Sequence, residues 1–327
     1  VDTVYFGGGT PSLLAPEAVG RLVERIRASF SLLPGAECTM EVNPGTVDRR
    51  RLAAYRAAGI DRLAVGVQSL SDEALRFLGR RHTAADAVRA VREAREAGFS
   101  RVGLDLIYGL PGQTDVGLRE DLERAADLGP DHLSCYLLTV EPGTPLARDC
   151  AAGRTPPPDP ADQGRQFDLV FEVLGARGYR RYEVSNFARS PSGECRHNRK
   201  YWTFAPYLGF GPSAHSCRGE VRSWNAPDLE GYLRALSAGG LPDGGMETLD
   251  RDQRMIEAVF LGLRMAEGID TALFEERFGC RFAERFGPVL DALEGEGMGS
   301  LADGAFVLTP RGFRFADGIA RRLVACL

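Results

Sequence analysis

From Val1 to about Tyr136, short β-branched or apolar runs alternate with amphipathic stretches. The runs Thr3 to Phe6, Cys38 to Val42, Arg62 to Val67, Val102 to Ile107, His132 to Leu138 and Arg181 to Val184 read as strands. After the first, Val19, Leu22, Val23, Ile26 and Phe30 recur at helical spacing and would turn one apolar face toward a sheet. The punctuation agrees with the periods. Thr83 suits the N-cap of a helix from Ala84 to Ala97, Gly98 suits its C′ position, and Gly59 does the same for Leu52 to Ala58. Strand and helix alternating at roughly 30-residue intervals predict βαβ units and an α/β fold whose parallel sheet closes partly or fully as a barrel. Function in such folds collects at the C-terminal ends of the strands.

The pattern breaks between Pro142 and Pro160, which is rich in Pro and Gly, and turns helical again from Gln166 to Leu174. After about Asp250 it predicts two helices, a hairpin around Ala302 to Leu308 and a helix from Asp317 to Val324, an order that fits a small winged-helix-like α+β domain. The expected organisation is a partial barrel over 1–190, a connecting segment over 191–245 and the C-terminal domain over 246–327.

Composition narrows the classes. With 44% apolar and 26% charged residues, the chain can bury a sizeable core and has no fibrous or disordered signature. A net charge of −5 argues against nucleic acid as a partner, despite the local basic run Arg196, Arg199 and Lys200. No stretch approaches the ~18 apolar residues of a membrane span, and no secretory leader opens the chain. Seven scattered cysteines without a C-x-x-C pair read as reduced thiols, so the expected location is cytoplasmic. The first residue is valine and strand character follows at once, which reads as a start inside a fold.

Gly7-Gly8-Gly9-Thr10-Pro11 follows directly on a strand; it is either a tight βα corner or a loop whose backbone cradles a polar ligand. Glu41, Gln68, Arg80 and Asp105 sit at or just beyond the ends of later strands. Strands buried on both faces are nearly continuously apolar, so each such group needs a partner, either a ligand or one another as cross-barrel salt bridges.

The ordered set Gly-Gly-Gly-Thr-Pro, Glu41-Val-Asn-Pro, Gly-Val-Gln68-Ser and Asp105-Leu-Ile-Tyr-Gly-Leu-Pro-Gly-Gln resembles the radical S-adenosylmethionine (SAM) family of oxygen-independent coproporphyrinogen III oxidases and their HemW relatives, over nearly the whole chain. The resemblance implies a (β/α)6-type partial barrel, here without its first strand and cluster loop, and a SAM site. Gly8, Gly9, Thr10 and Glu41 would hold the methionyl amino group, Gln68 and Asp105 the ribose hydroxyls, and Arg80 the methionyl carboxylate, roles that suit carboxylate and guanidinium chemistry. The family's C-x3-C-x2-C loop, which binds a [4Fe-4S] cluster through three thiolates, has no counterpart among these cysteines, so the cluster is expected only in a longer parent and reductive SAM cleavage is not expected of this chain.

Cys195-Arg196-His197-Asn198-Arg199-Lys200-Tyr201-Trp202 places an imidazole, read as lying on a loop, four and five residues before two large aromatics. That set suits haem, with His197 as an iron contact, although taken alone a histidine with neighbouring aromatics is more often a satisfied surface or core cluster. His-Asn-x-x-Tyr-Trp resembles the haem-associated motif of HemW-type proteins, which favours His197, Tyr201 and Trp202 as haem contacts. A rival is a zinc site from Cys195, His197, His215 and Cys217, at spacings unlike the usual arms. The resemblance therefore implies a haem chaperone that delivers haem to an acceptor protein, as monomer or dimer, with peripheral association where acceptors are membrane-bound. The alternatives are a coproporphyrinogen III oxidase and a degenerate barrel kept as a binding module; whether the chain is an enzyme is left open.

Overall fold

Strands β1 (Thr3–Phe6), β2 (Glu37–Val42), β3 (Arg62–Gln68), β4 (Arg101–Tyr108) and β5 (His132–Leu137) pair in parallel, in chain order. Parallel neighbours require crossovers, and these carry α1 (Pro16–Ser29), α2 (Arg49–Ala57), α3 (Asp72–Phe77), α4 (Ala84–Glu96) and α5 (Asp115–Asp127). The structure, a computed structural model, describes residues 1–327 as two compact units, Val1–His197 and Asn198–Leu327.

In the first unit the helices cover one face of the sheet. Met40, Val42, Leu63, Val65, Leu104 and Leu133 meet Val19 and Val23 of α1, Tyr55 of α2, Val91 of α4 and Leu122 of α5 in one buried core. Side chains alternate along a strand, so the opposite face carries Thr3, Tyr5, Glu37, Thr39, Glu41, Arg62, Asp105, His132 and Ser134, aligned across strands by register. The expectation of nearly continuous apolar strands is thus corrected: one face is apolar and the other polar, because only one is packed against helices.

Local signals act as their chemistry requires. Thr83 and Asp86 form a reciprocal capping box on α4, while Gly98 at φ +88° and Gly59 at φ +105° end α4 and α2 in the left-handed region. The Pro/Gly-rich break holds an unforeseen helix, α6 (Pro145–Ala151), with proline in its first turn and the Thr144 hydroxyl accepting from Ala147 N–H at 3.2 Å. Next comes α7 (Pro160–Ala176).

The strand expected at Arg181–Val184 is also corrected. Only β6 (Arg180–Arg181) pairs there, and β7 (Asn186–Ala188) runs antiparallel to both β5 and β6, giving the order β1-β2-β3-β4-β5-β7-β6. Tyr182 leaves the ladder for a buried polar contact, its hydroxyl 2.8 Å from His132 Nε2, while Glu183 keeps a single β-bridge.

A short helix, α8 (Arg196–Trp202), crosses the boundary between the units. The second unit adds an antiparallel sheet not foreseen in the connecting segment, β8 (His215–Arg218), β9 (Val221–Asn225) and β10 (Asp243–Thr248) in the order β10-β9-β8, with α9 (Leu229–Ser237) before β10. The order then runs α10 (Arg251–Gly262), β11 (Ile269–Asp270), α11 (Thr271–Phe278), α12 (Phe282–Gly295), β12 (Gly299–Ala302), β13 (Ala305–Leu308), α13 (Pro310–Phe313) and α14 (Ala316–Val324). Helix, strand, two helices and a hairpin followed by two short helices make the winged-helix-like domain, with two helices and a two-residue strand more than the pattern predicted. Asp303 and Gly304, both at positive φ, form the tight hairpin turn, and Phe274, Phe278, Phe282, Phe286 and Phe306 pack ring against ring beneath it.

Candidate functional site

The polar face of the first unit's sheet is the candidate site. At its C-terminal end β1 runs into the glycine loop, where Gly8 and Gly9 adopt φ +74° and +72°. Gly7 serves differently. A Cβ there would lie 2.6 Å from Tyr5 Cε1 and 3.0 Å from Glu41 Oε1, so the loop backbone is a wall against which both side chains rest. The Tyr5 hydroxyl donates to Glu41 Oε1 at 2.9 Å, and burial, then the Glu41 charge, push the phenol far above its ordinary range, keeping it a donor. Asn43 Nδ2 donates to Thr10 Oγ1 at 3.4 Å.

Gln68 lies where the β3–β4 register shifts, with φ +67°, a strained conformation for a residue other than glycine. Beneath it Gly66 lets two amides close in: a Cβ at Gly66 would meet Asn43 Oδ1 at 2.7 Å and Gln68 Nε2 at 2.8 Å. His82 Nε2 donates to Val67 O at 3.1 Å and steadies this strand end.

Asp105 stands opposite Ser134 across β4 and β5. Its carboxyl lies deep in the polar face though the residue keeps partial exposure, and its pKa is pushed up to about 6 by burial, opposed by the Ser134 hydrogen bond, with Glu41 raising it further and Arg62 lowering it. Like charges on Glu41 and Asp105 thus face one region. No ion pair joins Glu41, Arg80 and Asp105 to one another, so the cross-barrel salt-bridge alternative is not what the chain builds. Arg80 is exposed just past α3, its backbone N–H bonded to Leu75 O at 2.8 Å, and its side chain touches none of the others.

The N-terminal end of the same face is a buried charge cluster. Glu37, with 0% exposure, pairs with Arg62 at 3.7 Å and Arg101 at 3.5 Å. It also accepts from Cys195 Sγ at 3.6 Å and from the His197 backbone N–H at 3.3 Å. Arg62 donates to Glu194 O at 3.1 Å, and Arg196 to Gly35 O at 2.6 Å. The segment Glu194–His197 is thereby strapped across the strand beginnings. His197 is not on a loop, as the sequence suggested, but in the first turn of α8, with Nδ1 2.9 Å from Thr3 Oγ1 and its ring stacked on Tyr5 at 4.9 Å and 21°.

In the second unit Tyr201 meets Tyr207 edge to face at 4.9 Å, and the Arg264 guanidinium sits 5.9 Å from the Trp202 ring. Trp202 Nε1 is buried without a hydrogen-bond partner, a donor that an anionic group such as a haem propionate would satisfy. No group of three or more His, Cys, Asp or Glu side chains that could hold a metal ion is present. Nor do the seven free cysteines, four of them buried apart, fit a [4Fe-4S] cluster. By contrast, two carboxylates that face one region, an amide and a glycine wall fit the ammonium and vicinal hydroxyls of SAM.

Sequence reasoning missed Tyr5, Glu37, Asn43 and Ser134. The available signal was the alternation of strand positions, which puts Tyr5 on the same side as Thr3. Replacing Gly7 with alanine is expected to push Tyr5 and Glu41 apart and to destabilise the chain by about 1–3 kcal/mol, measured as a shift in urea midpoint; an unchanged midpoint would show that the wall yields.

Residues 1–128 match the Radical SAM superfamily, and residues 249–315 match the HemN C-terminal domain. The solved structure described as "Coproporphyrinogen III oxidase (HemN) from Escherichia coli is a Radical SAM enzyme" superposes with a TM-score of 0.83 at 26% identity, over 100% of this chain and 78% of that one. Fold and site together define a radical SAM core carrying a HemN-type C-terminal domain. Heme chaperone HemW of Mycobacterium tuberculosis is 40% identical over 324 residues, 99% of this chain and 81% of that protein. The Bacillus subtilis Heme chaperone HemW is 33% identical over 315 residues, 95% of this chain and 82% of the relative. Radical S-adenosyl methionine domain-containing protein 1, mitochondrial, of Mus musculus is 38% identical over 277 residues, 82% of this chain and 62% of that one. The chain belongs to the HemW family.

Proposed function

We propose that this protein is a haem chaperone: it binds haem and passes it to an acceptor protein, on a core that binds SAM. The observation that carries this is 40% identity to a Heme chaperone HemW across 99% of the chain, against 26% to the solved coproporphyrinogen III oxidase. No helix is long and apolar enough to cross a membrane, which accords with a cytoplasmic protein that meets any membrane-bound acceptor peripherally.

Gly8, Gly9, Thr10 and Glu41 take the methionyl amino group, Gln68 and Asp105 the ribose hydroxyls and Arg80 the methionyl carboxylate. His197 contacts the haem iron, and Tyr201 and Trp202 contact the macrocycle. Support comes from the polar face described above and from the buried, unpartnered Trp202 indole N–H. When bound, haem supplies an iron that an imidazole can ligate. The division at 190/191 and 245/246 assigns SAM to the barrel and the HNxxYW run to the start of the connecting segment.

Haemin titrated into the chain is expected to develop a Soret band that saturates, and His197→Ala to weaken binding by about tenfold or more, the equivalent of one lost contact of ~1.4 kcal/mol. A titration curve identical for the two proteins would remove His197 from the site, and no band at all would remove the function.

A further inference from the structure

The two motifs that the proposed function assigns to different ligands meet at one side chain, Tyr5, to which the sequence motifs assign no role. Its ring is the stacking surface for His197, at 4.9 Å and 21°, while its hydroxyl donates to Glu41 Oε1 at 2.9 Å. The ring has little room: a single Cβ on Gly7 would already lie 2.6 Å from Tyr5 Cε1. His197 is equally constrained, with Nδ1 2.9 Å from Thr3 Oγ1 and its backbone N–H bonded to the buried Glu37 carboxylate.

We infer that Tyr5 is a positioning residue that couples the His197 ring to the Glu41 carboxylate, so that haem at His197 and SAM at Glu41 alter each other's affinity. The inference rests on the haem and SAM assignments proposed above. A ligand that draws on the His197 imidazole tilts the ring plane against Tyr5. Held by the Gly7 backbone, the phenol responds by moving its hydroxyl relative to Glu41, which resets the carboxylate that meets the SAM ammonium. The path is two direct contacts long and runs within one compact unit, through close-packed groups that transmit small displacements. Linkage is reciprocal, so SAM must change haem affinity by the same factor.

The test is SAM affinity by isothermal titration calorimetry, with and without saturating haemin, for the native chain and for Tyr5→Phe, which keeps the stacked ring and removes the hydrogen bond. In the native chain haemin is expected to change the SAM dissociation constant by about fivefold or more. In Tyr5→Phe each ligand still binds, and the coupling falls to within about twofold. Thr3→Val, which removes the hydroxyl beside His197 Nδ1, is the second variant and is expected to lose coupling in the same way. Equal SAM affinity with and without haemin in the native chain overturns the inference alone, as does full coupling retained in both variants. Failure of the native chain to bind either ligand overturns the inference together with the proposed function.

Discussion

Glu37→Ala is expected to lower the unfolding free energy by about 3–5 kcal/mol, the usual cost of leaving a buried charge without its partner. Glu37 is 0% and Arg62 3% exposed, and Arg62's other polar contact is a backbone carbonyl, Glu194 O, which cannot neutralise it. Arg101 suffers less, because it is more exposed and keeps Asp61 at 2.6 Å. The same carboxylate accepts from Cys195 and from the His197 backbone, so the variant should loosen the strap and weaken haemin binding alongside stability. Urea denaturation with a Soret titration measures both. Glu37→Gln retains acceptor oxygen and volume and should fall between native and alanine; a loss below about 1 kcal/mol in Glu37→Ala would mean that the cluster is hydrated rather than buried.

Asp105→Asn should stabilise the chain at pH 8 by on the order of 2 kcal/mol while weakening SAM binding. Burial is the first cause of the raised pKa of about 6, against an ordinary 3.8. A carboxyl whose folded pKa lies above its unfolded value contributes stability that is fully present below the unfolded value and lost as pH rises through the folded one. The native chain should therefore lose stability between about pH 4 and pH 6 on account of this group, and the asparagine gain should vanish near pH 4. The ionised form accepts both ribose hydroxyls whereas an amide offers one acceptor, so SAM affinity should rise through pH 6 in the native chain and fall about tenfold or more in the variant. Denaturation at both pH values and calorimetry with SAM check the two halves; equal stability of the two proteins at pH 8 would place Asp105 in water rather than in a desolvated face.

Much of the candidate site was legible as a list but not as an arrangement. Gly8, Gly9, Thr10, Glu41, Gln68 and Asp105 announce themselves because polar or glycine residues interrupt apolar strand ends. What they face depends on parallel register, which sets Tyr5 beside Thr39 and Asp105 beside Ser134. The His197 motif was visible for its residue types, while its seat on Thr3 joins residues 194 positions apart, beyond the reach of any local pattern.

The amino-acid sequence by itself determined the α/β alternation, the C-terminal end of α2, both ends of α4 and the inventory of chemical groups, since each depends on dihedral preferences and hydrogen bonds within a few residues. Only the tertiary structure decided that one sheet face is polar, that the last strands run antiparallel, that Glu37 straps the segment bearing His197, and that Tyr5 touches both His197 and Glu41. Those outcomes depend on which faces the helices leave uncovered and on which distant strands become neighbours, properties of packing that no single segment encodes.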